Sequence, residues 1–373
     1  MIYLDYSATT PVNKEVLKTF DAVTLDYIGN PNSLHKLGTY ANNIIKSSTK
    51  QIADLLNIKE EEIIYTSGSS EANNLALKGT ILKYQNRGKH IITTNFEHSS
   101  IYGPLNYLQK LGFEVDFVKT DKDGIVDLDN LKSLLRDDTI LVSVGMVNSE
   151  IGILQPVNEI GLLLKEYPKC FYHVDMTQGL GKVRLDLTNI DMASFSAHKI
   201  YGIKGIGFLY KKASIVIEPL IHGGKSTTIY RSGTPTTGLI VSLAKAMRLA
   251  LEDLDGKYEK VSLLKNYLIE QIKPLDGVYI NSNTYCIPHI VNLSVIGVKP
   301  ETMLHALEND DIYISTQTAC AGSASVSSSV LALTNDHDKA SSSIRISLSS
   351  LTTKEEIDYF VKSFKKCCES LRK

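Results

Sequence analysis

Apolar positions along this chain follow two periods, one typical of helices and one typical of buried strands. The clearest helical stretch is 34–57, in which apolar residues fall near one face: Leu37, Ala41, Ile44, Ile45, Ile52, Leu55 and Leu56. Helices are also predicted up to residues 84 and 111, and over 157–166, 238–253, 258–273, 300–308 and 353–371.

Short apolar runs between these stretches predict strands, at 62–66, 90–94, 113–118, 139–147, 171–174, 193–195 and 205–210. Strands that alternate with helices favour an α/β fold, a three-layer arrangement in which a mostly parallel sheet carries helices on both faces. After residue 210 the pattern changes, and from Asp255 onward it predicts a smaller α+β domain. We expect a large domain over 13–254, and a small domain formed by 1–12 and 255–373. The segment 316–339 is expected to be a long mobile loop, partly helical.

Several polar clusters come directly after predicted strands, and ligands gather at the carboxyl ends of the strands in such sheets. These clusters are Ser69 and Ser70, His98, Asn148, Asp175, and 196–199. They should meet at one rim of the sheet. At Ser69 and Ser70 a strand turns through glycine into a helix start, which favours a bound phosphate. The alternative is a capped helix with nothing bound.

Lys199 lies between two apolar runs that predict buried strands. A desolvated lysine suits Schiff-base chemistry, and we interpret Lys199 as the amine that binds pyridoxal phosphate. That cofactor also needs an acid at its ring nitrogen, for which Asp175 is the candidate, although Asp175 is equally placed to cap a helix. His98 is a candidate for ring stacking and proton transfer, and Gln178 for the ring oxygen. Thr234 is a candidate for a further phosphate contact.

Two later residues complete the candidate chemistry. Cys320 lies among small and polar residues, where a thiolate can act as a nucleophile. Arg345 interrupts an apolar strand, and burying its charge demands a carboxylate partner. That partner is either the substrate or an internal aspartate or glutamate. Cys170 is expected in the core, Cys286 is ambiguous, and no role is expected for the cysteines of the last helix.

Composition narrows the class of protein. The 373 residues are 43% hydrophobic and 22% charged, with a net charge of −1, which gives no electrostatic reason to expect binding to nucleic acid or a membrane. Apolar runs stay well below the ~20 residues of a spanning helix. Five cysteines without a C-x-x-C pair indicate free thiols in a reduced, cytoplasmic protein.

Taken together, these segments resemble the cysteine desulfurase family, within the class V aminotransferases of the fold type I pyridoxal-phosphate enzymes. The matching stretches run in order along the chain: 3–11, 29–31, 66–74, 97–98, 173–175 with Gln178, 196–202, 231–234, 319–320 and 343–345. The number of residues between Cys320 and Arg345 is similar to that in the long-loop subgroup of this family.

The resemblance implies a role for each candidate residue. Lys199 carries the cofactor, Asp175 pairs with its ring nitrogen, Gln178 reaches its ring oxygen, and His98 stacks and transfers protons. The phosphate is held by Ser69, Ser70, Ser196 and His198, and by Thr234 across a dimer interface. Arg345 grips the substrate carboxylate. The family has an asparagine where Ser149 stands, so Ser149 or the preceding Asn148 is expected to make that contact with cofactor or substrate.

The implied reaction converts L-cysteine to L-alanine and leaves the sulfur on Cys320 as a persulfide. The sulfur then passes to acceptor proteins, either an iron–sulfur scaffold or a tRNA-thiolation enzyme. A homodimer is implied as well. The alternatives are a selenocysteine lyase or a small-amino-acid aminotransferase of the same fold, and a degenerate relative that only binds sulfur-carrier proteins.

Overall fold

The computed structural model describes residues 1–316 and 326–371. The strands in these ranges are β1 (Ile2–Tyr3), β2 (Ile63–Thr66), β3 (His90–Thr94), β4 (Glu114–Val118), β5 (Thr139–Gly145), β6 (Phe171–Asp175), β7 (Met192–Ser196), β8 (Gly207–Lys211), β9 (Val278–Ile280), β10 (Ile290–Val295), β11 (Ile312–Tyr313) and β12 (Ser343–Ser347). The helices are α1 (Lys14–Asp26), α2 (Lys36–Leu56), α3 (Ser69–Tyr84), α4 (Ser99–Lys110), α5 (Leu128–Leu134), α6 (Val157–Leu164), α7 (Thr237–Leu251), α8 (Leu254–Ile272), α9 (Pro300–Glu308), α10 (Ser328–Thr334), α11 (His337–Ser341) and α12 (Lys354–Leu371). Single 3-10 turns cover Glu60–Glu62 and Ala197–Lys199.

A seven-stranded sheet forms the centre of the molecule, in the order β2-β8-β7-β6-β5-β3-β4. All its neighbours pair in parallel except β8, which is antiparallel to both β2 and β7. The prediction of a mostly parallel sheet in an α/β fold is confirmed.

Apart from the partly exposed edge strand β4, the strands of this sheet are covered on both faces, which explains their largely apolar sequences. Successive residues of one strand point to opposite faces. Ile63 and Tyr65 therefore join the core that includes α7, whereas Ile64 joins the core that includes α3 and α4. The fully buried strands leave only their ends available for polar chemistry.

A second apolar core is built from residues near both ends of the chain. It joins Leu4 to side chains of α8, α9, α12 and the antiparallel sheet β12-β10-β9. The first strand, β1, pairs in parallel with β11. On these contacts we propose the division that the sequence suggests, with residues 1–12 joining 255–371 in the small domain.

Some elements differ from expectation. Helices α1 and α5 were not predicted. The expected helical part of 316–339 is present as α10 and α11, but it is packed rather than loose, since Ser327 and Ser329 are buried at 0% and 4% exposure. Residues 317–325, with Cys320, lie outside the described ranges. Over those ranges, no helix is both long and apolar enough to cross a membrane.

Candidate active site

A cavity lies at the carboxyl ends of the central strands, where the sequence predicted a polar rim. Of the predicted site residues, those on its wall are Ser69, Ser70, His98, Ser149, Asp175, Gln178, His198, Lys199 and Arg345. The topology of the sheet therefore gathers residues that are widely separated along the chain.

Lys199 closes the turn that follows β7, and the N-terminal segment lies against it. Its Nζ donates hydrogen bonds to the carbonyl oxygens of Ser7 and Ala8, the latter at 2.7 Å. The neighbouring carbonyl of His198 accepts from the backbone N–H of Thr10 at 2.9 Å. The lysine thus points into the cavity from the junction of both sheets.

Asp175 ends β6, and both of its carboxylate oxygens have partners. Oδ2 accepts from Nδ2 of Asn73 at 2.8 Å, and Oδ1 accepts from the backbone N–H of Thr177 at 3.0 Å. The contact with the Thr177 N–H is the kind of local capping interaction that the sequence analysis gave as the alternative role of Asp175. Because Asp175 also lines the cavity, capping does not compete with a role toward a ligand.

A short hydrogen-bonded chain joins Asp175 to His98. The amide of Asn73 donates to Ser100 Oγ at 2.8 Å, and Ser100 Oγ lies 2.8 Å from His98 Nδ1. The backbone N–H of Ser100 also donates to Nδ1, at 3.1 Å. Burial lowers the pKa of His98, and the charge of Lys199 lowers it further against the opposing effect of Asp175. A neutral imidazole is therefore favoured.

The roles of Asn73 and Ser100 were not predicted from the sequence, because polar residues on two predicted helices give no sign that they contact each other.

The predicted anion site is formed by the first turn of α3. Gly68 precedes it with φ of 156°, a conformation that only glycine adopts easily, and Ser69 and Ser70 open the helix. Gly207 of β8 packs directly below, since a Cβ there would lie 2.8 Å from Gly68 Cα. Free N–H groups at such a helix start attract a phosphate. Nearby His198 is kept neutral, because burial lowers its pKa to about 4.

Gln178 spans the gap between the N-terminal segment and a buried lysine. Its Nε2 donates to the carbonyl of Ser7 at 2.9 Å, and its Oε1 accepts from Nζ of Lys182 at 2.5 Å. Lys182 was not recognised from the sequence, because nothing local distinguishes it from a surface lysine. In the structure it is only 6% exposed.

Arg345 is 1% exposed and has the internal carboxylate that the sequence left as an alternative. Its Nη2 donates to Asp5 Oδ1 at 2.8 Å, and its Nη1 donates to the carbonyl of Ser149 at 3.0 Å. The side chain still forms part of the cavity wall. Pairing with Asp5 and contact with a ligand are therefore compatible.

Within residues 1–316 and 326–371, three predicted site residues are not on the cavity wall. Thr234 lines a separate surface depression near Arg231. Ser196 is buried at the end of β7, at 2% exposure. Asn148 is used structurally: its amide donates to the Phe96 carbonyl, and its Oδ1 accepts the N–H groups of the next turn at 2.7 and 3.0 Å.

These hydrogen bonds engage the Asn148 side chain with the protein, and its contact with the cofactor stays a prediction. Its position after a strand places the backbone at the rim, and the turn that follows uses the Asn148 side-chain oxygen as an acceptor. The neighbouring Ser149, in contrast, is on the wall.

The cavity wall carries unmet hydrogen-bonding capacity. Among the described residues, four of its buried polar atoms find no partner: Ser7 Oγ, Glu97 Oε2, Thr177 Oγ1 and Arg345 Nε. Buried polar groups are normally satisfied, so orphaned atoms around a cavity point to a polar ligand. An amine, a carboxylate and a helix N-terminus around one cavity fit the parts of pyridoxal phosphate.

Comparison with known proteins agrees with this geometry. The family model described as Aminotransferase class-V matches residues 2–360. The chain belongs to this family. The resemblance inferred from the sequence is thereby confirmed, and pyridoxal phosphate is the cofactor of such enzymes.

Curated relatives match over nearly the full chain. A NifS/IcsS protein homolog of Lactobacillus delbrueckii subsp. bulgaricus is 41% identical, covering 98% of this chain and 96% of its own. Cysteine desulfurase IscS of Escherichia coli is 42% identical, covering 100% and 93%. Cysteine desulfurase IscS of Dictyoglomus turgidum is 38% identical, covering 100% and 95%.

Solved structures show the same fold. A NifS-like protein superposes with a TM-score of 0.93 at 34% identity, covering 98% of both chains. The structure of SspA in complex with cysteine gives a TM-score of 0.83 at 31% identity, covering 95% of this chain and all of the other.

Proposed function

We propose that this protein is a pyridoxal-phosphate-dependent cysteine desulfurase that converts L-cysteine to L-alanine. The observation that carries the proposal is the single cavity that brings Lys199, Asp175 and His98 to the start of α3. Relatives named cysteine desulfurase that match the full chain support the same activity.

The residues present fit the cofactor. Lys199 is the amine that would bind it, Asp175 would hold its ring nitrogen, and Gln178 would donate to its ring oxygen. Its phosphate would be held at the first turn of α3 by Ser69 and Ser70, with the buried Ser196 and His198 beside them. Bound there, pyridoxal phosphate supplies an electron sink for the carbon that loses a proton.

Two side chains are placed to move protons. Lys199 presents its amine to the cavity, and His98 is held in the neutral form because burial lowers its pKa. Because Nδ1 of His98 accepts the backbone N–H of Ser100, the neutral ring carries its proton on Nε2, and we assign donation of that proton to His98 Nε2. Arg345 would orient the substrate by its carboxylate, to which the unpaired Nε can contribute.

We assign the sulfur transfer to Cys320. Its thiolate attacks the sulfur of bound cysteine, an S–S bond forms, and the bond between that sulfur and the substrate Cβ breaks. The remaining carbon fragment is protonated and leaves as alanine. Cys320 lies outside the described residues, so this assignment rests on the sequence around it.

The finer features of the proposal concern partners. We propose that the persulfide sulfur passes to acceptor proteins, either an iron–sulfur scaffold or a tRNA-thiolation enzyme, in the cytoplasm. We further propose a homodimer in which Thr234 reaches the phosphate of the partner's site. The position of Thr234, apart from the cavity of its own chain, fits a role across an interface.

The test is the variant Cys320→Ala, assayed for sulfide and alanine from L-cysteine with a reductant present. Cofactor absorbance should be retained and sulfide release lost, because the variant keeps the cavity and loses the nucleophile. The matched control is Cys170→Ala, which removes a buried thiol just before the first residue of β6, at the opposite end of that strand from Asp175.

Undiminished sulfide release by Cys320→Ala would contradict the assignment of Cys320. Selenocysteine and several keto acids are assayed in parallel with the unmodified protein. Amino-group transfer to a keto acid without sulfide would favour the aminotransferase alternative, and a preference for selenocysteine would favour the lyase.

A further inference from the structure

Lys182 is a buried lysine that the proposed reaction does not use. It is 6% exposed, and its Nζ donates to Gln178 Oε1 at 2.5 Å. It lines a second cavity that adjoins the first at Lys199. Burial, together with the charges of Lys199 and Arg345, lowers the pKa of Lys182 to about 7. Keeping a cation here is unfavourable, so an apolar residue would be expected unless the amine has a task.

The contact with Lys182 decides which way the side-chain amide of Gln178 faces. In its protonated form Lys182 only donates hydrogen bonds, so it selects the amide oxygen of Gln178. The amide nitrogen is then turned to the other side, where it donates to the Ser7 carbonyl at 2.9 Å. In the flipped amide, two donors would meet at Lys182 and two acceptors would meet at Ser7.

The Ser7 carbonyl connects this arrangement to the reactive amine. It accepts one hydrogen bond from Gln178 and another from Nζ of Lys199. The amide nitrogen of Gln178 is therefore presented on the side of the cavity where Lys199 lies. With the opposite orientation, Gln178 would present an oxygen there and could not donate to an anionic ligand atom.

We propose that Lys182 is a positioning residue that acts through Gln178, fixing its amide so that the N–H groups face the cofactor. This inference rests on the proposed function, because it takes Gln178 as the donor to the ring oxygen. Lys182 itself need not touch cofactor or substrate.

The test is a double-mutant cycle on cofactor binding, made with Lys182→Met, Gln178→Ala and the double variant. Methionine keeps much of the length of lysine and removes the donor. The measured quantities are the dissociation constant of pyridoxal phosphate and the visible absorption spectrum of the bound cofactor. The matched control is Lys257→Met, a lysine on the same second cavity whose Nζ donates to the backbone carbonyls of Leu249, Ala250 and Glu252.

We expect Lys182→Met and Gln178→Ala each to raise the dissociation constant by roughly tenfold, the size of one hydrogen bond to a charged group. Both should shift the visible band of the cofactor in the same direction. Adding Lys182→Met to Gln178→Ala should change the constant by less than a factor of about two, because the two residues act as one unit. Lys257→Met should leave constant and spectrum unchanged.

The proposal would be overturned if the increase in the dissociation constant of the double variant equalled the product of the two single increases. Normal cofactor binding by Lys182→Met, or an equal loss of affinity in Lys257→Met, would overturn it as well. If Lys182→Met does not fold, Lys182→Gln replaces it. Its amide both donates and accepts, so it fills the polar site without fixing the orientation of Gln178, and the same results are expected. Sulfide release by the unmodified protein is measured alongside, and its absence contradicts the proposed function while leaving the binding cycle readable.

Discussion

The ion pair between Asp5 and Arg345 joins the N-terminal segment to β12, and the substitution Asp5→Asn tests it. Asparagine has the same shape and keeps an acceptor oxygen, but removes the charge. The backbone contacts of residue 5 do not depend on its side chain; its carbonyl accepts from the N–H of Ala8 and from the hydroxyl of Tyr3. The change therefore isolates the role of the counter-ion.

The expected loss follows from burial. Arg345 is 1% exposed and Asp5 19%, so the guanidinium of the variant would remain in the interior without a carboxylate. Removing one partner of a buried pair costs about 3–5 kcal/mol. The retained acceptor of asparagine and the partial exposure of Asp5 place the expected loss near the lower end, at about 3 kcal/mol.

Urea unfolding with saturating cofactor measures this loss as a shift of the midpoint. The control is Asp54→Asn, which breaks the exposed pair with Lys50, where both side chains are 64% exposed. Exposed pairs of this spacing contribute only about 0.3–0.5 kcal/mol. A midpoint for Asp5→Asn no lower than that of the control would refute the view that Asp5 neutralises Arg345.

The same variant tests the proposed substrate contact. A bound carboxylate would supply the missing counter-ion, so L-alanine should raise the midpoint of Asp5→Asn more than that of the unmodified protein. Stabilisation by a ligand depends on its concentration relative to its dissociation constant, so the comparison is made over a concentration series. Equal stabilisation of both proteins would refute a ligand carboxylate at Arg345.

Two further predictions concern Gly207, which packs below the start of α3, and Glu97 on the cavity wall. Gly207→Ala should weaken the binding of pyridoxal phosphate, measured by equilibrium dialysis, because the added Cβ would lie 2.3 Å from the Phe195 carbonyl oxygen and displace Gly68. The control Gly103→Ala, where an added Cβ has no atom within 4 Å, should bind the cofactor normally. Equal binding by the two variants would contradict the close packing at Gly207. Burial raises the pKa of Glu97 to about 7, so between pH 4.5 and 7 the folded protein keeps a proton that the unfolded chain releases. The unmodified protein therefore loses stability as the pH rises through this range, and the variant Glu97→Gln, which has no such proton, becomes more stable relative to it. The difference in unfolding free energy should grow to roughly 3 kcal/mol at pH 8, and a difference independent of pH would be contrary to a buried, protonated Glu97.

Most of the central sheet was predictable because its strands, except the edge strand β4, are buried and stand out as apolar runs. The same topology explains why His98, Asp175 and Lys199 were found: each follows a strand, and parallel strands end at one rim. Helix α1 was missed for the opposite reason. Val16, Phe20 and Val23 do recur at helical spacing, but the exposed Leu17 and Leu25 add apolar residues on other faces and obscure that pattern.

Contacts between distant segments could not be predicted from local patterns. The expected carboxylate partner of Arg345 is Asp5, which lies 340 positions away along the chain. Asn73 reaches Asp175 across 102 positions, and its side chain is fully buried. Such pairs are set by how the elements pack, so a single sequence shows that a partner is needed without showing which residue it is.

The N-terminal segment holds the two basic side chains that the proposed reaction uses. Its Ser7 and Ala8 carbonyls bind the amine of Lys199, and its Asp5 carboxylate binds the guanidinium of Arg345. The same segment belongs to the second core, because Leu4 is buried there. Lys199 follows a strand of the central sheet, whereas Arg345 lies on β12 of the small sheet. Because one short segment contacts both, the distance between the cofactor amine and the substrate-binding guanidinium is set by residues 5–8, and the site is complete only when both cores have formed.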